Sequence, residues 1–121
     1  MKLVEVIDGL LTAPAVVARL FEFGAALGHT PVRAKDTPGF IVNHAGRGYG
    51  TEALRIAGEG IADHATIDRI LKLAAGFRMG PFELFDLTGL DVSHPVMESI
   101  YHQFYEEPRF RPSPAMAPWS T

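Results

Sequence analysis

Lys35-Asp36-Thr37-Pro38-Gly39-Phe40-Ile41-Val42-Asn43 is the stretch at which the chain changes character. Before it the apolar residues form short β-rich runs, and after it the strand signals stop. Thr37-Pro38-Gly39 marks the boundary, with proline in the first turn of a helix that begins near Gly39. Upstream, Met1-Lys2-Leu3-Val4-Glu5-Val6-Ile7 reads as a buried strand halted by the turn pair Asp8-Gly9. Thr12 caps a helix that carries Pro14 in its first turn. Its apolar stripe is Val16, Leu20, Phe23 and Leu27, and Gly28 ends it. Pro31–Lys35 is a second strand. Strand, helix and strand in series predict two parallel strands joined by a right-handed crossover, a unit that needs more sheet around it.

Downstream the reading is all-α. One helix is predicted from about Gly39 to Ile61, weakened by Gly46, Gly48 and Gly50, which points to close helix packing. Asp63 caps the next, with Ile67, Ile70, Leu71 and Ala74 on one stripe and Gly76 at its end. Gly80-Pro81 opens a short helix closed by Gly89. Asp91 caps the last, whose Val92, Val96, Ile100 and Phe104 share a face. Phe40, Ile67, Ile70, Leu71, Phe82, Val96, Ile100 and Phe104 are the expected core. The segment Pro108–Pro114 is not expected to be helical and reads as a linker or docking arm. The fold class is therefore mainly α, a short βαβ segment (1–36) followed by a helical bundle (37–107) and a Pro-rich tail (108–121).

Composition narrows the function classes. With 11 Lys+Arg against 14 Asp+Glu, a net charge of −3 offers no broad positive field for nucleic acid. The absence of cysteine excludes thiol catalysis, thiolate metal sites and disulfides, and makes the cytoplasm the expected compartment. No apolar run reaches the roughly 18 residues of a membrane span, and no basic-then-apolar leader opens the chain.

Glu5 is the first chemically suggestive residue, a carboxylate inside Leu3-Val4-Glu5-Val6-Ile7, where an unpaired buried charge is costly. Either the strand has one wet face, or Glu5 orients a histidine or holds a cation. Asn43 follows Phe40-Ile41-Val42 just past the inter-domain boundary, where clefts form. Its amide either donates to a substrate carbonyl or bridges locally. Gly46-Arg47-Gly48-Tyr49-Gly50 is not a phosphate loop, because no strand precedes it and neither dinucleotide spacing nor a Lys-Ser/Thr pair is present. His94, Glu98 and His102 recur every four residues opposite the apolar stripe of the last helix, which reads as a solvated face and not a metal site. His29 and His64 read as surface residues near a turn and a cap.

Met1–Val6, Lys35–Asn43, Thr51-Glu52-Ala53-Leu54-Arg55 and Met79-Gly80-Pro81-Phe82-Glu83-Leu84 together resemble the L-3-hydroxyacyl-CoA dehydrogenases. Within that family the bacterial 3-hydroxybutyryl-CoA type of aromatic-acid degradation is most similar, over about residues 1–114. The resemblance implies NAD-dependent oxidation of the 3-hydroxyl of an acyl-CoA. It implies a Rossmann-type nucleotide domain ending in this βαβ segment, and a helical bundle like the C-terminal part of 6-phosphogluconate dehydrogenase. By the same resemblance Glu5 pairs with the catalytic histidine and Asn43 is the cleft amide beside the reacting carbons, while His44 stands where the family usually carries arginine. The histidine, in a His-Phe-Phe-Asn-Pro type segment, and the glycine-rich fingerprint lie upstream of Met1 in the family. The chain is thus expected to be a fragment supplying cleft and dimerisation surface. Alone it is expected to be inactive and to bind neither NAD nor metal. A homodimer is expected, because a bundle of about 70 residues has a marginal core and an orphan βαβ unit exposes sheet edge. Two other readings stand beside this one, a hydroxy-acid dehydrogenase of the gulonate dehydrogenase and lambda-crystallin branch and a freestanding non-catalytic dimerisation domain.

Overall fold

A computed structural model describes residues 2–115. The elements are β1 (Leu3–Asp8), α1 (Pro14–Ala26), β2 (Thr30–Lys35), α2 (Val42–Ala45), α3 (Arg47–Gly58), α4 (His64–Leu73), α5 (Pro81–Thr88) and α6 (Leu90–Gln103), followed by a 3-10 turn at Pro108–Phe110. The chain divides into two compact units that part between Ala45 and Gly46.

In the first unit β1 and β2 pair in parallel, from Leu3 opposite Thr30 to Asp8 opposite Lys35. Helix α1 closes on Gly28 (φ 85°), where Gly28 N–H reaches the Ala25 carbonyl and His29 N–H the Gly24 carbonyl, a doubly bonded glycine stop. Two expectations fail at α1. Thr12 does not cap it, because the Thr12 hydroxyl accepts from Gly9 N–H at 3.1 Å and Ala13 takes the cap position. The stripe Val16, Leu20, Phe23 and Leu27 is about half-exposed, and the buried positions are Val17 and Gly24. A two-stranded sheet covers only one side of the helix. Gly24 faces Pro31 of β2, where an added Cβ would make only ordinary van der Waals contact at 3.6 Å.

The helix predicted over 39–61 is three pieces. Gly39 (φ 78°) and Phe40 (φ 51°) are left-handed, so the backbone turns before α2 begins, and Gly46 separates α2 from α3. The glycines do serve close packing at one point. A Cβ on Gly50 would lie 2.9 Å from Phe85 and 3.2 Å from Met97, whereas Gly48 faces open space. The core of the second unit is Leu54, Phe85 and Met97, with Phe82 and Leu90 packed against it. Of the residues expected inside, Ile67 and Ile100 are buried, and Leu71, Phe82 and Phe104 are half-buried. Phe40, also half-buried, belongs to the first unit. Ile70 (55% exposed) and Val96 (37%) are outside, because each helix carries two adjacent apolar stripes and the inward one of α6 runs through Met97 and Ile100. Asp91 lies within the first turn of α6, which starts at Leu90 after Gly89 (φ 86°). The Pro-rich segment is not free of helix. Proline is compatible with a first helical turn, and the 3-10 turn buries Phe110 against Phe104 with ring centroids 5.0 Å apart.

Polar contacts cap α4 and tie it to α5. Asp63 caps α4 as expected, accepting from Thr66 N–H at 2.7 Å. Asp68, 8% exposed, accepts from Phe82 N–H at 2.9 Å and Glu83 N–H at 3.1 Å, satisfying the first turn of α5. Lys72 reaches Glu83 at 2.9 Å, and Glu83 in turn accepts from Gly80 N–H. The bond from Thr66 holds the Asp63 carboxyl below its ordinary range, and the Lys72 contact does the same for Glu83. A carboxyl depressed in the folded state contributes stability above its unfolded pKa and loses it as pH falls through the folded value. The second unit is therefore expected to lose thermal stability as pH drops from about 5 toward 3, through the carboxylate range. Melting followed by helical circular dichroism checks this, and Asp63→Asn with Glu83→Gln should flatten the slope.

Candidate active site

β1, expected to be buried, is mostly half-buried because a two-stranded sheet leaves it partly uncovered; Val6 is its one buried residue and Glu5 is half-buried beside it. The chain leaves β2 at Lys35 and reverses over Thr37-Pro38-Gly39-Phe40, where Phe40 N–H donates to the Thr37 carbonyl at 2.9 Å. Proline second and a left-handed glycine third make this a type II turn. The turn returns the backbone to β1. There Glu5 Oε1 accepts from Ile41 N–H at 3.0 Å and from Val42 N–H at 2.7 Å. These are amides at the start of α2, which a helix leaves without internal partners, and a carboxylate suits them both as acceptor and as charge.

Asn43 is the next residue after that clamp. It is exposed on α2, and its side-chain amide makes no hydrogen bond among the described residues. The structure thus joins the two sequence candidates through backbone: Glu5 holds the turn that presents Asn43. Neither the clamp nor the type II turn was foreseen, although Pro38-Gly39 is its written signal. A carboxylate with one oxygen engaged and an unpartnered amide on a fixed turn can orient an imidazole and donate to a substrate oxygen, respectively.

The other candidates resolve differently. The His94 side chain is only 12% exposed and lies 3.5 Å from Glu98, so the polar face foreseen on α6 is not uniformly solvated. His102 is exposed beside Glu106 at 3.8 Å. No group of His, Asp and Glu among the described residues is arranged to hold a metal ion. The Gly46–Gly50 segment lies at the entry and first turns of α3. Within it Arg47 has Nε and Nη1 buried without a hydrogen-bond partner among the described residues, and burial lowers its pKa. No helix among the described residues is long and apolar enough to cross a membrane.

Residues 39–118 match the family model described as 3-hydroxyacyl-CoA dehydrogenase, C-terminal domain, and residues 1–37 match its NAD binding domain. The 3-hydroxyadipyl-CoA dehydrogenase of Escherichia coli K12 is 50% identical over 113 residues, covering 93% of this chain and 24% of that protein. The mitochondrial hydroxyacyl-coenzyme A dehydrogenase of Sus scrofa is 44% identical over 116 residues, 96% of this chain and 37% of that one. Among solved structures, the 3-hydroxybutyryl-CoA dehydrogenase of Escherichia coli K12 superposes with a TM-score of 0.92 at 47% identity, over 98% of this chain and 25% of the other. The chain thus spans between about a quarter and two fifths of the length of these relatives.

Proposed function

The chain belongs to the 3-hydroxyacyl-CoA dehydrogenase family, and on that premise we propose that it is part of an NAD-dependent enzyme that oxidises the 3-hydroxyl of an acyl-CoA to the 3-ketoacyl-CoA. In this reading residues 1–36 end a dinucleotide-binding domain, residues 37–107 form the helical domain, and Glu5 and Asn43 serve the reaction. The observation that carries it is the Glu5 clamp, which puts the carboxylate that interrupts an apolar strand on the turn bearing Asn43. Glu5 Oε2, with no hydrogen-bond partner among the described residues, is available to an imidazole that takes the hydroxyl proton. The carboxylate would fix the tautomer and stabilise the cation. Asn43 donates to the substrate oxygen.

The β1–α1 connection is not where the pyrophosphate of NAD would be held. It has a single glycine and leads into Pro14 at the first helical position, so it offers no cradle of backbone N–H groups for a pyrophosphate. The roles proposed here for Glu5 and Asn43 concern the proton and the oxygen. The groove beside β1, about 280 Å³ and walled by Val4, Val6, Leu20, Phe23 and Leu27, supports the reading that more of the nucleotide domain packs there. The apolar face of α4 around Ile70 and Leu73, with a groove of about 390 Å³, supports a homodimer. Cytoplasmic residence is proposed from the cysteine-free composition alone.

The test is a graft. Residues 1–113 replace the matching segment of the Escherichia coli 3-hydroxyadipyl-CoA dehydrogenase, and NAD reduction is followed with 3-hydroxybutyryl-CoA and 3-hydroxyadipyl-CoA. Turnover within about tenfold of the parent is expected with at least one substrate, a loss of under ~1.4 kcal/mol in barrier. The ungrafted 121-residue chain should show neither turnover nor NAD binding. A folded graft that turns over neither substrate would sink the proposal.

A further inference from the structure

We infer that Glu5 has a second task, as the positioning residue for Asn43: one carboxylate oxygen fastens α2 to β1 while the other is left for the imidazole. The functional weight of this inference rests on the reading above, but its geometry does not. Helix α2 is a single turn of four residues, too short to hold itself, since one hydrogen bond does not offset the fixing of a first turn. Its entrance is unfavourable as well. Phe40 is held at φ 51°, a region that bulky residues rarely occupy and that persists only where the surroundings impose it.

Two features impose it. Glu5 Oε1 binds the amides of Ile41 and Val42 immediately after Phe40. Gly39 lets α2 fold back over the turn, because a Cβ there would stand 2.8 Å from the His44 backbone nitrogen. Asn43 follows Val42, whose amide makes the shorter bond of the pair. Any loosening of the clamp therefore moves Asn43. Glutamine at position 5 keeps an oxygen able to accept both amides and loses only the charge, whereas alanine loses both, so the two substitutions separate the tasks.

Amide hydrogen exchange of the 121-residue chain, read by NMR, tests the clamp without any turnover. Ile41 and Val42 should exchange within about threefold of the parent rate in Glu5→Gln. In Glu5→Ala they should exchange at least about tenfold faster, the scale of one lost hydrogen bond. The β1 and β2 amides should not change in either. If Glu5→Ala loosens the sheet too, Gly39→Ala displaces α2 without touching β1, and should accelerate the same two amides alone. In the grafted enzyme, Asn43→Ala should cost on the order of 10²-fold in kcat when Glu5 is intact or when it is combined with Glu5→Gln. Combined with Glu5→Ala it should cost under about threefold more, because the amide is already out of place there. Unprotected Ile41 and Val42 amides in the parent chain, or the full Asn43→Ala loss in the Glu5→Ala background, overturns the inference. Should Asn43→Ala prove silent in every background, the role of Asn43 falls, and the exchange rates still decide the clamp.

Discussion

Replacing Asn43 by alanine in the grafted enzyme should lower kcat by on the order of 10²-fold, with KM changed far less, because a donor placed on the reacting oxygen acts mainly as charge develops there. The same substitution should leave folding almost untouched. Asn43 is exposed and its amide bonds nothing among the described residues, so its removal belongs with surface changes of about 0.5 kcal/mol or less. That combination of a large kinetic and a small thermal effect is what a local bridging residue cannot produce. Asn43→Asp is a sharper version. It keeps the size but turns a donor into an anion on the turn that Glu5 already clamps, and its kcat should fall below that of the alanine variant. Steady-state rates with 3-hydroxybutyryl-CoA, set beside melting temperatures, check both. A kcat within about threefold of the parent for Asn43→Ala would remove the residue from the reaction.

Local chemistry was legible at several residues that act on their own neighbours, although Thr12 and Asp91 are not the caps their positions suggested. Asp63 caps the helix that follows it, Gly28 and Gly89 stop the helices before them, and the β-branched-rich run halted by Asp8-Gly9 is a strand. Faces were not legible. Val16, Leu20, Phe23 and Leu27 recur at helical spacing, but so do Val17, Phe21 and Gly24 one step round, and periodicity cannot say which stripe meets a two-stranded sheet. The same ambiguity put Ile70 and Val96 inside when Met97 held the centre. The third kind of information, long-range capping, leaves no mark in a window. Glu5 serves amides 36 and 37 residues away, and Asp68 serves amides 14 and 15 residues on. Glu5 shows in the sequence as a carboxylate in apolar company, which asks for a partner without naming it, whereas Asp68, between Ile67 and Arg69, gives no such signal. For Glu5 family resemblance supplied an imidazole; the backbone partners had to come from the fold.

Asp68 also makes Gly80 the position of the second unit least able to take a side chain, and Gly80→Ala should cost about 2–4 kcal/mol, combining overpacking with a displaced buried acceptor. The backbone is not the reason. Gly80 sits at φ −70° and ψ 160°, which alanine adopts freely. The obstacle is the carboxylate: an added Cβ would lie 2.5 Å from Asp68 Cβ and closer still to Cγ and Oδ1. Asp68 would have to leave the amides of Phe82 and Glu83, and α5 would lose its cap at the same moment. Since α5 carries Phe85 into the cluster with Leu54 and Met97, the loss reaches the core of the unit. Asp68→Asn is the graded control. Its amide oxygen can serve one of the two N–H groups while its NH2 opposes the other, so about 1–3 kcal/mol should go. Urea unfolding should therefore rank the parent above Asp68→Asn and Asp68→Asn above Gly80→Ala. Gly48→Ala should fall on the other side of the parent. Its Cβ meets nothing within 4 Å, it lies in the first turns of α3, and alanine there should stabilise by roughly 0.5–1 kcal/mol. A Gly80→Ala midpoint at or above that of Gly48→Ala would mean that the carboxylate does not occupy the space in front of Gly80.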